Sequence, residues 1–210
     1  MPVFRKHNLI FIHIPKTMGT SVNAWFGCKG DNSEPDLELL YGQHKGRQLQ
    51  HLKYKEIQVM VEQAFISKCY FLAIIRCPRQ RLVSEYRWLK NHSFWGSHLR
   101  AHLRSFRDFL QHLEQLYDSG KLLDSFVHWH PQILFIKELL QNPKLCLIRF
   151  EETAERLAYL NVELGWNISG QVTHLNAATL PFEPNLEDMI YLDHIVYKIY
   201  QEDDRLYKAL

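Results

Sequence analysis

Two short stretches hold residues whose order suits anion chemistry. In Pro15-Lys16-Thr17-Met18-Gly19-Thr20-Ser21, a lysine, a glycine and hydroxyl side chains follow the apolar run Leu9 to Ile14. Gly19 lets the backbone turn tightly, and the amides after it can point at an anion from a helix N-terminus. Thr17, Thr20 and Ser21 add hydroxyl donors. The phosphate loop of nucleotide hydrolases, G-x-x-x-x-G-K-[ST], places its lysine after its glycines. Here Lys16 precedes Gly19, so a different loop is expected, and an ordinary strand-to-helix turn with a solvated lysine is the alternative. The second stretch, Arg76-Cys77-Pro78-Arg79-Gln80-Arg81-Leu82-Val83-Ser84, follows the apolar run Cys69 to Ile75. An arginine at a strand end can grip a phosphate bidentately, with the Ser84 hydroxyl nearby. Anion sites at the carboxyl ends of two parallel strands imply one ligand with two separated anionic groups.

The elements that must position these residues are legible as buried strands alternating with helices. Leu9–Ile14, Cys69–Ile75 and Leu145–Phe150 are short and apolar on both faces, as strands of a helix-covered parallel sheet are. Helices are expected from about Val22 with Thr20 and Ser21 as N-caps, over Leu52–Phe65, Gln80–Lys90 and Glu152–Leu164, within Asn91–Leu123, and once or twice over Leu186–Leu210. Cys28–Gly46 reads as a surface excursion. The fold class is α/β, a P-loop-like three-layer arrangement with a central, mainly parallel sheet flanked by helices. With 210 residues, 46% of them hydrophobic, the chain is expected to form a single domain over 1–210. Its net charge of +2, from 25 basic and 23 acidic residues, gives no reason to expect nucleic acid or a membrane surface as partner. The 4 cysteines lack paired spacing and are expected as reduced thiols in a cytoplasmic protein. Neither a secretory signal nor a membrane span is read in the chain.

Both stretches resemble motifs of the sulfotransferases that use 3′-phosphoadenosine 5′-phosphosulfate (PAPS). The likeness is to the carbohydrate group, sulfotransferase family 2, which holds the heparan sulfate 2-O- and 6-O-enzymes and small bacterial relatives. "FIHIPKTMGTS" is similar to the family's 5′-phosphosulfate loop, P-K-T-[GA]-G-T-[ST], and "IIRCPRQRLVSEYRW" to its 3′-phosphate motif, R-[ND]-P-x-x-R-L-x-S-x-[YF]. "QHLKYKEI", "HPQILFI", "LIRFEE", "HLN" and "YQEDDRLY" follow in family order. Met18 stands where a small residue is usual, and Cys77 where Asn or Asp is usual.

The resemblance implies that Lys16 contacts the 5′-phosphate and the bridging oxygen on which charge grows as the bond to sulfur breaks. Thr17, Gly19, Thr20 and Ser21 would cradle the 5′-phosphate; Arg76 and Ser84 would hold the 3′-phosphate. The product would be 3′-phosphoadenosine 5′-phosphate, and the acceptor a hydroxyl of a carbohydrate or glycoconjugate. A histidine between the donor motifs would be the base: His51, with His44 as the other candidate. His13 reads as a hydrogen-bonded structural histidine. His98 and His102 have the spacing of helical metal ligands but lack a third, and no metal is expected. From Arg79 to Arg107 basic residues face only Glu85; they could receive an acidic glycan with Trp88 and Trp95 as stacking platforms, or be a solvated face in which Arg81 and Arg87 are salt-bridged or hydrated. A phosphotransferase on a related fold and a nucleotide-binding scaffold without turnover are the rival readings. The sequence does not specify oligomeric state.

Overall fold

Apolar, β-branched runs become the strands, and the computed structural model, which describes residues 2–28, 35–91, 104–173 and 182–210, orders the longer ones in one sheet. In chain order the elements are β1 (Val3–Phe4), β2 (Leu9–Ile12), α1 (Gly19–Trp25), β3 (Gln43–His44), β4 (Arg47–Gln48), α2 (Tyr54–Met60), α3 (Gln63–Ile66), β5 (Tyr70–Ile75) and α4 (Pro78–Asn91). They continue with α5 (Phe106–Asp118), α6 (Ile133–Ile136), β6 (Leu145–Arg149), α7 (Thr153–Glu163), α8 (Leu186–Ile199) and α9 (Gln201–Ala209). The chain divides into two compact units, Met1–Ile75 with Gln132–Asn176 and Leu210, and Arg76–Pro131 with Ala177–Ala209.

The first unit contains the sheet, in the order β1-β2-β5-β6. β2 pairs in parallel with β5, and β5 with β6, while β1 runs antiparallel along β2. The register Ile12↔Ala73 brings the carboxyl ends of β2 and β5 to the same edge. Alternate strand residues serve opposite faces. Leu9, Phe11, Leu72, Ile74 and Ile148 pack with Val22 of α1 and Leu157 and Leu160 of α7. On the other face Phe71 meets Tyr54 of α2, ring centroids 5.3 Å apart. Helices thus cover both faces of a mainly parallel sheet, the expected α/β class. Each fully buried Leu, Ile or Phe contributes about 2 kcal/mol. The expected helix over Leu52–Phe65 is in fact two, because Val61 and Glu62 are extended and turn the buried Val61 into the core.

The second unit is helical. Leu82, Tyr86 and Leu89 of α4, Phe106, Phe109, Leu110 and Leu113 of α5, and Leu192, Ile195, Val196 and Ile199 of α8 form its core at helical spacing. α5 falls within the expected helical stretch: it starts where the Ser105 hydroxyl accepts the Asp108 N–H at 3.1 Å, and it stops before Gly120, φ +69°.

Of the basic run, Arg79, Arg81, Arg87 and Arg107 find partners within this unit, while Lys90 and Arg104 are exposed. Arg81 is 1% exposed and donates to the His128 and His130 carbonyls at 2.6 and 2.8 Å. Arg87 donates to the Phe182 carbonyl, Arg79 pairs with Asp193 and Asp204, and Arg107 pairs with Asp188. Helical carboxylates some hundred residues downstream supply the counter-charges that the local sequence lacks. Trp88 packs against Phe126 and His128. Trp95, Arg100, His98 and His102 lie outside the described residues.

Candidate active site

The chain leaves β2 and turns sharply into α1 through Lys16, Thr17 and Met18. Lys16 has φ +65° and Met18 φ +71°, both in the left-handed region, with Thr17 between them outside it. Each such non-glycine residue costs about 1 kcal/mol. Consecutive turn residues of this kind can gather backbone N–H groups into an anion-binding concavity. Thr17 is fully buried, and its hydroxyl donates to the Ile14 carbonyl at 2.9 Å, bracing the loop from inside. Lys16 is half-buried, Thr20 exposed and Ser21 buried.

Two details depart from the sequence reading. α1 starts at Gly19 rather than near Val22, so Thr20 and Ser21 lie within the helix and Met18 is the capping residue, with no side-chain bond. Gly19 is not among the glycines with positive φ, so the tight turn is made by Lys16 and Met18 instead. Gly19 must be glycine for space: a Cβ there would lie 1.8 Å from the His13 ring.

That ring belongs to a buried histidine pair. His13, 6% exposed, stacks on Phe11 at 5.7 Å, and His51, 7% exposed, meets it edge-on at 4.5 Å between centroids. His51 Nδ1 lies 2.9 Å from the His13 carbonyl oxygen. A carbonyl only accepts, so Nδ1 carries the hydrogen and neutral His51 has its lone pair on Nε2. Asn23 Nδ2 stands 3.4 Å from His13 Nδ1. As donor, the amide leaves His13 with its proton on Nε2. Asn23 was missed in the sequence. Its spacing of four residues from Gly19, which puts both on one face of α1, is the signal that could have found it.

His51 closes a one-turn 3-10 helix, Leu49–His51, held on both sides. Leu49 N–H donates to the Gly42 carbonyl at 2.9 Å, and the Glu56 carboxylate accepts the Lys53 N–H at 2.7 Å while also pairing with Arg47. Burial pushes the Lys53 ammonium pKa below its ordinary value, and the Arg47 charge adds to that. His44, the other candidate, is half-buried on β3.

Arg76 is the first residue after β5 and is half-buried; Ser84 is half-buried within α4. Cys77 accepts the Arg81 N–H at 2.9 Å through its carbonyl, which makes it the residue capping α4 ahead of Pro78. All four cysteines are thiols. Burial raises the Cys69 thiol pKa to about 11. Among the described residues no cluster of His, Cys, Asp and Glu is suited to a metal, and no helix is long and apolar enough to cross a membrane.

A mainly parallel α/β fold with a left-handed lysine loop between strand and helix, next to a buried histidine pair, is an arrangement that suits group transfer from an anionic donor. The family model described as "Sulfotransferase family" matches residues 1–208, and the chain belongs to that family. It is a transferase of sulfuryl groups. No curated protein matched the chain.

Proposed function

We propose that this protein, acting as one domain over 1–210, transfers a sulfuryl group from PAPS to a hydroxyl of a carbohydrate or glycoconjugate. The observation that carries the proposal is the His51 Nδ1 to His13 carbonyl hydrogen bond, which leaves Nε2 as the proton-accepting nitrogen of a buried histidine. The left-handed residues Lys16 and Met18 suit a bound 5′-phosphate, because they bend the backbone around successive amides. The donor supplies the sulfuryl group. Lys16 stabilises the charge that grows on the bridging oxygen as its bond to sulfur breaks. His51 Nε2 takes the proton of the acceptor hydroxyl as that oxygen bonds to sulfur. Gly19, Thr20 and Ser21 contribute donors to the 5′-phosphate, while Thr17 braces the loop. On the motif they complete, Arg76 and Ser84 hold the 3′-phosphate, the group that separates this donor from simpler adenine nucleotides. The small bacterial-type assignment rests on the resemblance, and the cytoplasmic one also on the unpaired spacing of the cysteines.

Calorimetric titration with 3′-phosphoadenosine 5′-phosphate and adenosine 5′-phosphate tests the donor assignment. Wild type should prefer the 3′-phosphorylated ligand strongly; Arg76→Ala should lose the preference and Lys16→Ala should weaken both. Equal binding of the two ligands to wild type sinks the assignment and favours the phosphotransferase or scaffold reading. Sulfuryl transfer from PAPS to a hydroxyl acceptor panel, with His51→Ala and His44→Ala as paired controls, tests the base. Loss of turnover only in His44→Ala transfers that role to His44.

A further inference from the structure

The reaction assigned above needs the base at a fixed distance from the loop that orients the donor, and one side chain touches both. The His13 ring fills the space where a Gly19 Cβ would stand, 1.8 Å from Cδ2 and 1.9 Å from Nε2. Its other side meets the His51 ring, and its own carbonyl takes the His51 Nδ1 hydrogen. Phe11 supports it by stacking, and Asn23, on the Gly19 face of α1, reaches its Nδ1. A residue packed this tightly transmits displacement, because close-packed interiors have no slack to absorb it.

We propose that His13 is a positioning residue: a wedge between Gly19 and His51 that sets the separation of base and donor loop, with Asn23 fixing its orientation. This rests on His51 being the base. The wedge also accounts for the glycine, since nothing in the backbone of residue 19 requires one. Misplacing a reacting group by about 1 Å costs about 100-fold in rate. A shifted His51 ring should therefore be read in turnover rather than in donor affinity.

The test is a cycle of Gly19→Ala, His13→Ala and the double variant, read by kcat, by KM and by calorimetric binding of 3′-phosphoadenosine 5′-phosphate. His13→Ala should lower kcat by about 100-fold while binding changes less than about threefold. Gly19→Ala alone should reduce both kcat and binding, because the new methyl and the ring cannot both fit. In the His13→Ala background Gly19→Ala should leave binding close to that of His13→Ala. Nitrogen-15 NMR of the imidazoles supplies a second readout. His51 should keep its hydrogen on Nδ1 in His13→Ala, because its acceptor is the main-chain carbonyl of residue 13, while its ring signals shift with loss of the neighbouring imidazole; in Asn23→Ala, the fallback if His13→Ala does not fold, His13 should pass from hydrogen on Nε2 to a mixture of tautomers. Wild-type kcat in His13→Ala, or additive losses across the cycle, overturns the wedge. If His51→Ala keeps full turnover, the base assignment falls instead, while non-additivity in donor binding would still stand.

Discussion

The loop after β2 and the start of α4 both follow an apolar parallel strand and both present cations, yet the fold treats them oppositely. Around Arg81 the fold supplies the partners: the guanidinium is buried, its Nη2 donates to the His128 and His130 carbonyls, and His128 Nδ1 meets Glu85 Oε2 at 3.0 Å. Around Lys16 the backbone is held in left-handed geometry, and a nearby histidine is oriented by a carbonyl, a partner that sets the tautomer without supplying a charge. Buried polar groups whose partners all come from the fold support structure; groups held in a strained or selected state support chemistry. A motif arginine and a motif lysine are therefore not equivalent signs of a ligand.

Arg81→Ala gives the largest expected effect. It takes the guanidinium donors away from the His128 and His130 carbonyls and empties a buried site, and should cost about 3 to 5 kcal/mol in chemical denaturation. A variant as stable as wild type that fails to bind 3′-phosphoadenosine 5′-phosphate would break the contrast, placing Arg81 in the site. Lys16→Ala should lower kcat by about 100- to 1000-fold, close to 3 kcal/mol of transition-state stabilisation, with the melting temperature unchanged. A matching loss of thermal stability would make the lysine structural after all. Cys77→Asp gives α4 the capping oxygen it lacks and should raise stability by about 1 kcal/mol, read as a higher melting temperature without ligand.

A smaller effect sharpens the structural side. Hydrogen bonds from Lys198, Tyr191 and His194 hold the Glu114 carboxyl pKa down to about 2, against an ordinary 4.5. Because the folded value lies below the unfolded one, this network's contribution is complete above about pH 4.5 and disappears as pH falls toward 2. Glu114→Gln should destabilise by less than about 1 kcal/mol at pH 7, discounted for partial exposure, and by progressively less below pH 4. A pH-independent difference between the two melts would count against the assignment.

Much of the scaffold was legible. The β2, β5 and β6 runs stand out because strands buried on both faces must be continuously apolar, and the Lys16 and Arg76 stretches lie directly after β2 and β5. Short or locally unfavourable features were not. β1 has only Val3 and Phe4 to announce it, and the early start of α1 depends on a left-handed Met18 that propensity would not choose. The carboxylates that neutralise Arg79 and Arg107 lie on α8 and α9, beyond the reach of any local charge count.

The sequence by itself determined the α/β class, the lysine loop and the sulfotransferase resemblance, because hydrophobic periodicity and motif spacing are local properties of the chain. Tertiary structure alone decided which cations are consumed by the fold and why residue 19 is glycine. It also decided which nitrogen of His51 carries the hydrogen. Each of those depends on groups that become neighbours only when distant segments pack. His13 shows the difference most plainly: in the sequence it is a strand-end histidine, and in the fold it stands between the lysine loop and the proposed base.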